Sequence, residues 1–176
     1  SPENCWIPWL KNELEERNFL VEVPSMPDPE NPTITDWGAH LSQIVGTADE
    51  DTYFVWHSIG CQTILRYLAG IEQSIGGVVC VAGWFRLPHL ATDEEKEIAR
   101  PWLESPMNYD MIKKNCAKIV AIFSDNDPDV DLDDKVLFEK YLDAETHVEH
   151  GKGHFSDDAG ITELPTALDA ALRMAR

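Results

Sequence analysis

Residues 54 to 62 read FVWHSIGCQ. An apolar, strand-like run ends at His57, a serine follows, and Gly60 comes two residues later at the head of a segment with helical spacing. In that segment Ile64, Leu65 and Leu68 recur on one face, and Gly70 provides a stop. A nucleophile elbow, written G-x-S-x-G, holds a serine at the tip of a sharp strand-to-helix turn, with small neighbours because the backbone there is tight. Ser58 and Gly60 fit that pattern, whereas Trp56 stands where the first glycine belongs. Ser58 is therefore either a nucleophile or an ordinary serine at a helix start. In the first case the helix N-terminus faces the reacting atom, and the backbone N–H of Ile59 can stabilise an oxyanion.

A nucleophilic serine needs a histidine base whose second ring nitrogen is held by a carboxylate. In α/β hydrolases these groups come in the chain order serine, acid, histidine. Downstream of Ser58 the apolar run KIVAIFS (118 to 124) ends in SDNDPDV, which puts carboxylates at the edge of the sheet where open α/β sheets bind ligands. Asp125 and Asp127 are both candidates, and Asp127 is favoured because Pro128 fixes the loop behind it. A further run, ETHVEHG (145 to 151), leads into KGHF, so His154 falls in a glycine-rich loop on the same edge.

Other residues of these stretches have simpler readings. His57 alternates to the side opposite Ser58 and reads as a packed or hydrogen-bonded elbow residue. His147 and His150 read as structural, Cys61 as a small buried residue, and Asp133 or Asp134 as a helix N-cap. The alternating acids of DNDPDVDLDD (125 to 134) are reminiscent of a calcium loop, but Val130 replaces the glycine and Val136 the final glutamate that such a loop requires. The sequence thus predicts no metal site and a solvated acidic loop.

Around these motifs, short β-branched or aromatic runs alternate with longer amphipathic ones, the pattern of a mostly parallel sheet covered by helices. Strands are predicted at 19–24 (FLVEVP), 52–57, 76–83, 118–124 and 145–151. Helices are predicted at 8–17, 36–46, 58–72, 133–142 and 164–176, with Gly38 a local cost inside the second. VVCVA and IVAIF are apolar on both faces, as central strands of a three-layer αβα sandwich should be. PSMPDPENP (24 to 32) is a proline-rich loop. Residues 85 to 114 interrupt the βα rhythm and read either as a cap over the site or as a plain helix pair. One domain spanning 1 to 176 is expected.

Bulk properties bound the partners. In 176 residues, 32 acidic and 14 basic side chains give a formal charge of -18. Such a chain repels phosphate backbones and anionic lipid, so nucleic acid and membrane are excluded as partners. Hydrophobic residues make up 43% of the chain, enough for a real core. Cys5, Cys61, Cys80 and Cys116 form no C-x-x-C pair and suit a reducing cytoplasm. No stretch has the length of a spanning helix, and the first residues lack a signal-peptide layout.

Taken together, WIPWLKNELEE, VPSMPDPENP, HSIGCQTILRYL, SDNDPDV and GKGHFSDDAGITELP resemble the YdeN-like and retinoblastoma-binding-protein-9-like family of small serine hydrolases, a branch of the α/β hydrolase fold. The resemblance runs over nearly the whole chain. It implies Ser58 as nucleophile, Asp127 as acid and His154 as base, acting on carboxylic esters of small substrates through an acyl-enzyme without metal or organic cofactor. It also leaves room for a protein partner, since some members are described as binding proteins. The runner-up function is accordingly a catalytically impaired, hydrolase-like binding module.

Two departures from the family pattern stand out. Members open with a short apolar strand and an HG-x-x-G-like loop that offers a second oxyanion N–H, whereas this sequence starts at SPENCW. We therefore expect a first core strand, lying between FLVEVP and TYFVWH, to be missing from this sequence, which would be a segment of a longer chain. The second departure is Trp56, where members carry a small residue. Its indole must fill space left by a smaller neighbour, or else reshape or block the acyl pocket.

Overall fold

The computed structural model describes residues 2 to 176. Four parallel strands form one sheet in sequential order: β1 (Tyr53–His57), β2 (Gly77–Val81), β3 (Ile119–Ser124) and β4 (Glu145–Glu149). The register sets Trp56 beside Cys80 and His57 beside Val81, so β1 and β2 end together at the edge that carries Ser58. β2 and β3 are buried along their full length, as their two-sided apolar sequences require.

Seven helices cover the sheet: α1 (Ile7–Glu15), α2 (Ile34–Val45), α3 (Ile59–Gly70), α4 (Asp93–Glu104), α5 (Tyr109–Asn115), α6 (Asp134–Leu142) and α7 (Pro165–Met174). Side chains of α2, α3, α5 and α6 pack on one face with Phe54, Val78, Cys80, Ala121 and Phe123, and those of α1 and α7 pack on the other with Val79, Val81, Val120 and Ile122. This alternation along each strand is what a pleated sheet with a core on both sides demands, and it makes the molecule an α/β three-layer sandwich. The proline-rich loop is pinned by indole N–H groups, Trp37 donating to Pro27 O and Trp102 to Pro32 O.

FLVEVP is not a strand. Phe19 to Pro24 join no ladder among the described residues, the Phe19 N–H turning back to Leu14 O, and Leu20 is 94% exposed. The run has strand composition, but a strand exists only where a neighbour takes its backbone N–H and C=O groups, and none of the described residues lies in that position. It does not pair with β1, whose single ladder is to β2. Residues 93–104 and 109–115 are helices, and Trp102 of α4 packs edge-on against Trp37 of α2. Gly38 lies inside α2 in open space, a cost of about 1 kcal/mol against alanine.

Candidate active site

Ser58 sits between the last residue of β1 and the first of α3 with φ 52° and ψ -124°, a region that residues with a side chain rarely occupy. Its side chain makes no capping hydrogen bond. Thr33 and Thr92 show what ordinary capping looks like in the same molecule. Both have extended backbones, and their hydroxyls accept from the N–H three residues on. Ser58 instead donates its N–H to Val81 O at 2.9 Å, which ties the turn to the end of β2. Its hydroxyl is left for another partner.

That partner is His154, whose Nε2 lies 2.9 Å from Ser58 Oγ. His154 Nδ1 lies 2.9 and 3.0 Å from the two carboxylate oxygens of Asp127. A carboxylate only accepts, so Nδ1 carries the ring proton and Nε2 is the acceptor facing the serine hydroxyl. The Asp127 side chain is 2% exposed and that of His154 is 16% exposed. Asp127 Oδ1 also accepts from the N–H groups of Asp129 and Val130, at 2.9 and 3.1 Å, which fixes the carboxylate in place.

The loop carrying His154 is held to the end of β3 residue by residue. Ser124 Oγ accepts from Lys152 N–H, Asp125 Oδ1 from Gly151 N–H and Asn126 Oδ1 from Gly153 N–H. Asp127 then takes the imidazole itself. Ser124 Oγ in turn donates to Asn126 Oδ1. The roles of Ser124 and Asn126 are not visible in the sequence, because their partners are backbone groups about 27 residues away.

The structure separates the two candidate acids. Asp125 pairs with His150, whose side chain is 85% exposed, at 2.6 Å from Nδ1. The hydrogen bond to Asp125 raises the His150 pKa, and the same bond lowers that of Asp125. Asp127, Asp129 and His154 offer ligand atoms within 4.8 Å of one another, and so are the described group that could hold a cation. Asp127 Oδ1 already accepts three N–H groups, and Nδ1 is protonated toward it. This donor set fits an imidazole–carboxylate pair better than a metal centre.

His57, the last residue of β1, lies behind His154. Its Nε2–H donates to the His154 carbonyl at 2.7 Å, and the two rings are 4.8 Å apart. Trp6 of the helical layer on that face meets it edge-on. Burial, reinforced by the neighbouring His154, pushes the His57 pKa down to about 4, so the ring is neutral and keeps its role as a donor.

Trp56 points to the opposite face and packs in the cluster around α3. A Cβ at Gly60 would collide with its six-membered ring. Gly60 is thus the small neighbour whose missing side chain makes room for the indole. Cys61 is buried beside them, with its Sγ–H directed at Trp56 O. Ile59 is the first residue of α3, where a backbone N–H has no carbonyl a turn earlier to bond within the helix.

A serine, an imidazole and a carboxylate in hydrogen-bonded series, each at the C-terminal end of a different parallel strand, define an α/β hydrolase. The chain belongs to the serine hydrolase family, whose model matches residues 1–172. It is 32% identical to YdeN of Bacillus subtilis over 173 residues, covering 96% of this chain and 87% of that protein. It is also 24% identical to the serine hydrolase RBBP9 of Rattus norvegicus over 153 residues, covering 86% of this chain and 78% of its relative. The crystal structure of the B. subtilis ydeN gene product superposes with a TM-score of 0.90 at 30% identity, covering 99% of this chain and 92% of that one. The chain is therefore a hydrolase of the YdeN-like and RBBP9-like family.

Two stability experiments test this geometry. Gly60→Ala should cost about 1–3 kcal/mol in urea unfolding of the wild-type background and much less in Trp56→Ala, because the clash is specific to the indole; equal costs in both would show that the contact is unimportant. His57 should also make folding acid-sensitive. Unfolded chains take up its proton near 6.5 and the folded protein near 4, so this contribution is fully present above pH 6.5 and is lost as pH falls toward 4. Relative to His57→Gln, the wild type should lose up to about 3 kcal/mol over that window; parallel pH profiles would contradict a buried neutral His57.

Proposed function

We propose that the chain hydrolyses carboxylic esters of small substrates through an acyl-enzyme, with Ser58 as nucleophile, His154 as general base and acid, and Asp127 as the group that orients and stabilises the imidazolium. The observation that carries this reading is Ser58 itself, held at a strained positive φ with its hydroxyl uncommitted to capping and 2.9 Å from the unprotonated nitrogen of His154. A serine kept only to start a helix would need neither feature.

As the Ser58 oxygen attacks the acyl carbon, its proton passes to His154 Nε2. The positive charge on the ring is balanced by Asp127 across Nδ1–H. The negative charge on the former carbonyl oxygen is met by the Ile59 N–H and the positive end of α3. His154 then returns the proton to the departing alkoxide, leaving Ser58 acylated. A water molecule repeats the cycle, with its proton taken by His154, and releases the acid.

Every group in this sequence comes from the chain, and the reaction as written uses no metal or organic cofactor. We place the activity in the cytoplasm, a reading supported by four free thiols, three of them buried. No helix of the described residues is long and apolar enough to cross a membrane.

Turnover of a p-nitrophenyl ester tests the assignment. Ser58→Ala should lower kcat by a factor on the order of 10³ or more, and Asp127→Asn by a comparable amount with little change in KM. Asp125→Asn should stay within a few-fold of wild type on the geometry above. Retained activity in folded Ser58→Ala would assign turnover to another nucleophile.

A further inference from the structure

From Gly151 to Phe155, every second residue of the loop that carries His154 has a positive φ: Gly151 at 68°, Gly153 at 52° and Phe155 at 52°. Glycine adopts this region freely, whereas a bulky side chain there is an outlier. Phe155 is nevertheless completely buried, in the core that α1 and α7 form with one face of the sheet. Backbone strain of this kind persists only where the surroundings over-determine it, and it gathers at functional sites. A residue kept only to fill the core would need no such φ.

Two movements would relieve the strain, and both are blocked. A flip of the peptide between His154 and Phe155 would carry φ of Phe155 to the negative side that side chains prefer. That peptide is held at both ends, its C=O accepting from His57 Nε2–H at 2.7 Å and its N–H donating to Lys152 O at 3.0 Å. Rotation about the N–Cα bond of Phe155 would instead pull its ring from the core or carry His154 away from Ser58. The ring is enclosed in the same cluster as Trp6, whose indole also meets His57 edge-on. The flanks of the turn are tied as well, Gly153 N–H to Asn126 Oδ1 and Cys5 N–H to Asp157 Oδ1 at 2.6 Å.

These restraints converge on one imidazole. The His154 ring meets Ser58 and Asp127 through both nitrogens at once, each at 2.9 Å. A misplacement of about 1 Å in such a pairing can cost on the order of a hundredfold in rate.

We propose that His57 and Phe155 are positioning residues for His154, holding the His154–Phe155 peptide in a strained orientation that keeps the imidazole between Ser58 and Asp127. The consequence for turnover rests on the serine hydrolase reading above, while the placement of the ring stands on the geometry alone.

Full-length variants test the two parts separately. His57→Phe keeps an aromatic ring and loses the donor, Phe155→Ala loses the anchor, and Phe155→Leu restores an apolar one. Once circular dichroism has confirmed folding, the imidazole Nδ1–H resonance of His154 is followed by NMR and p-nitrophenyl acetate turnover is measured on the same samples. The wild type should show an Nδ1–H signal shifted downfield by Asp127, which is broadened or lost in His57→Phe and Phe155→Ala and recovered in Phe155→Leu. In the first two variants kcat should fall about ten-fold or more with KM within about two-fold, and Phe155→Leu should stay within about three-fold of wild type. A merely structural role would lower stability and leave both the signal and the kcat of the folded protein unchanged; that result would overturn the proposal, and His57→Phe decides alone if Phe155→Ala does not fold. A wild type without esterase activity would count against the catalytic reading, and the Nδ1–H signals would still decide the positioning claim.

Discussion

Ser58 holds a backbone conformation that costs a side-chain-bearing residue on the order of 1–3 kcal/mol, and the surrounding structure has to supply that energy. Three features do so. The β1–β2 ladder runs to the last residue of both strands, and the Ser58 N–H extends it to Val81 O. The Trp56 indole rests on the bare Cα of Gly60, so the chain can enter α3 close against the strand it has just left. Cys61, the next residue, is small and fully buried. Relaxing the turn would disturb all three contacts together, which is why a rigid hydroxyl free of capping bonds can persist at the end of β1.

His154 is positioned by a different device. The last residue of β3 and the three that follow it, Ser124 to Asp127, each bind the loop that follows β4, three through backbone N–H groups and the last through the imidazole. His57 holds the same loop from behind by its bond to the His154 carbonyl. Ser58 and His154 are thus linked through β1 as well as through space, because His57 and Ser58 are consecutive. Asp127 is nearly inaccessible, so its interaction with His154 is screened little by solvent.

Much of this was legible in the sequence. β2 and β3 were readable because each buries a hydrophobic run between turn residues, β1 and β4 because β-branched or aromatic residues recur in short runs bounded by turns, and Ser58, Asp127 and His154 stood out as candidates because each follows such a strand in hydrolase order. FLVEVP misled for the converse reason, since its alternation describes a strand while pairing depends on a neighbour that local sequence does not reveal. Trp56 looked like a defect because its match with Gly60 crosses from strand to helix, where neither the strand period nor the helix period applies. The bond between His57 and the His154 carbonyl spans 97 positions, and the exposed charge pair of Asp125 and His150 draws on the same acidic run as Asp127.

The central claim is that the Ser58 hydroxyl is activated by the His154–Asp127 pair, and covalent trapping tests it most directly. After incubation with a fluorophosphonate, intact-mass and peptide-mapping mass spectrometry should show one adduct per chain on the peptide containing Ser58, formed on the order of 10³-fold more slowly in Asp127→Asn. No adduct, or modification of a different serine, would contradict the account.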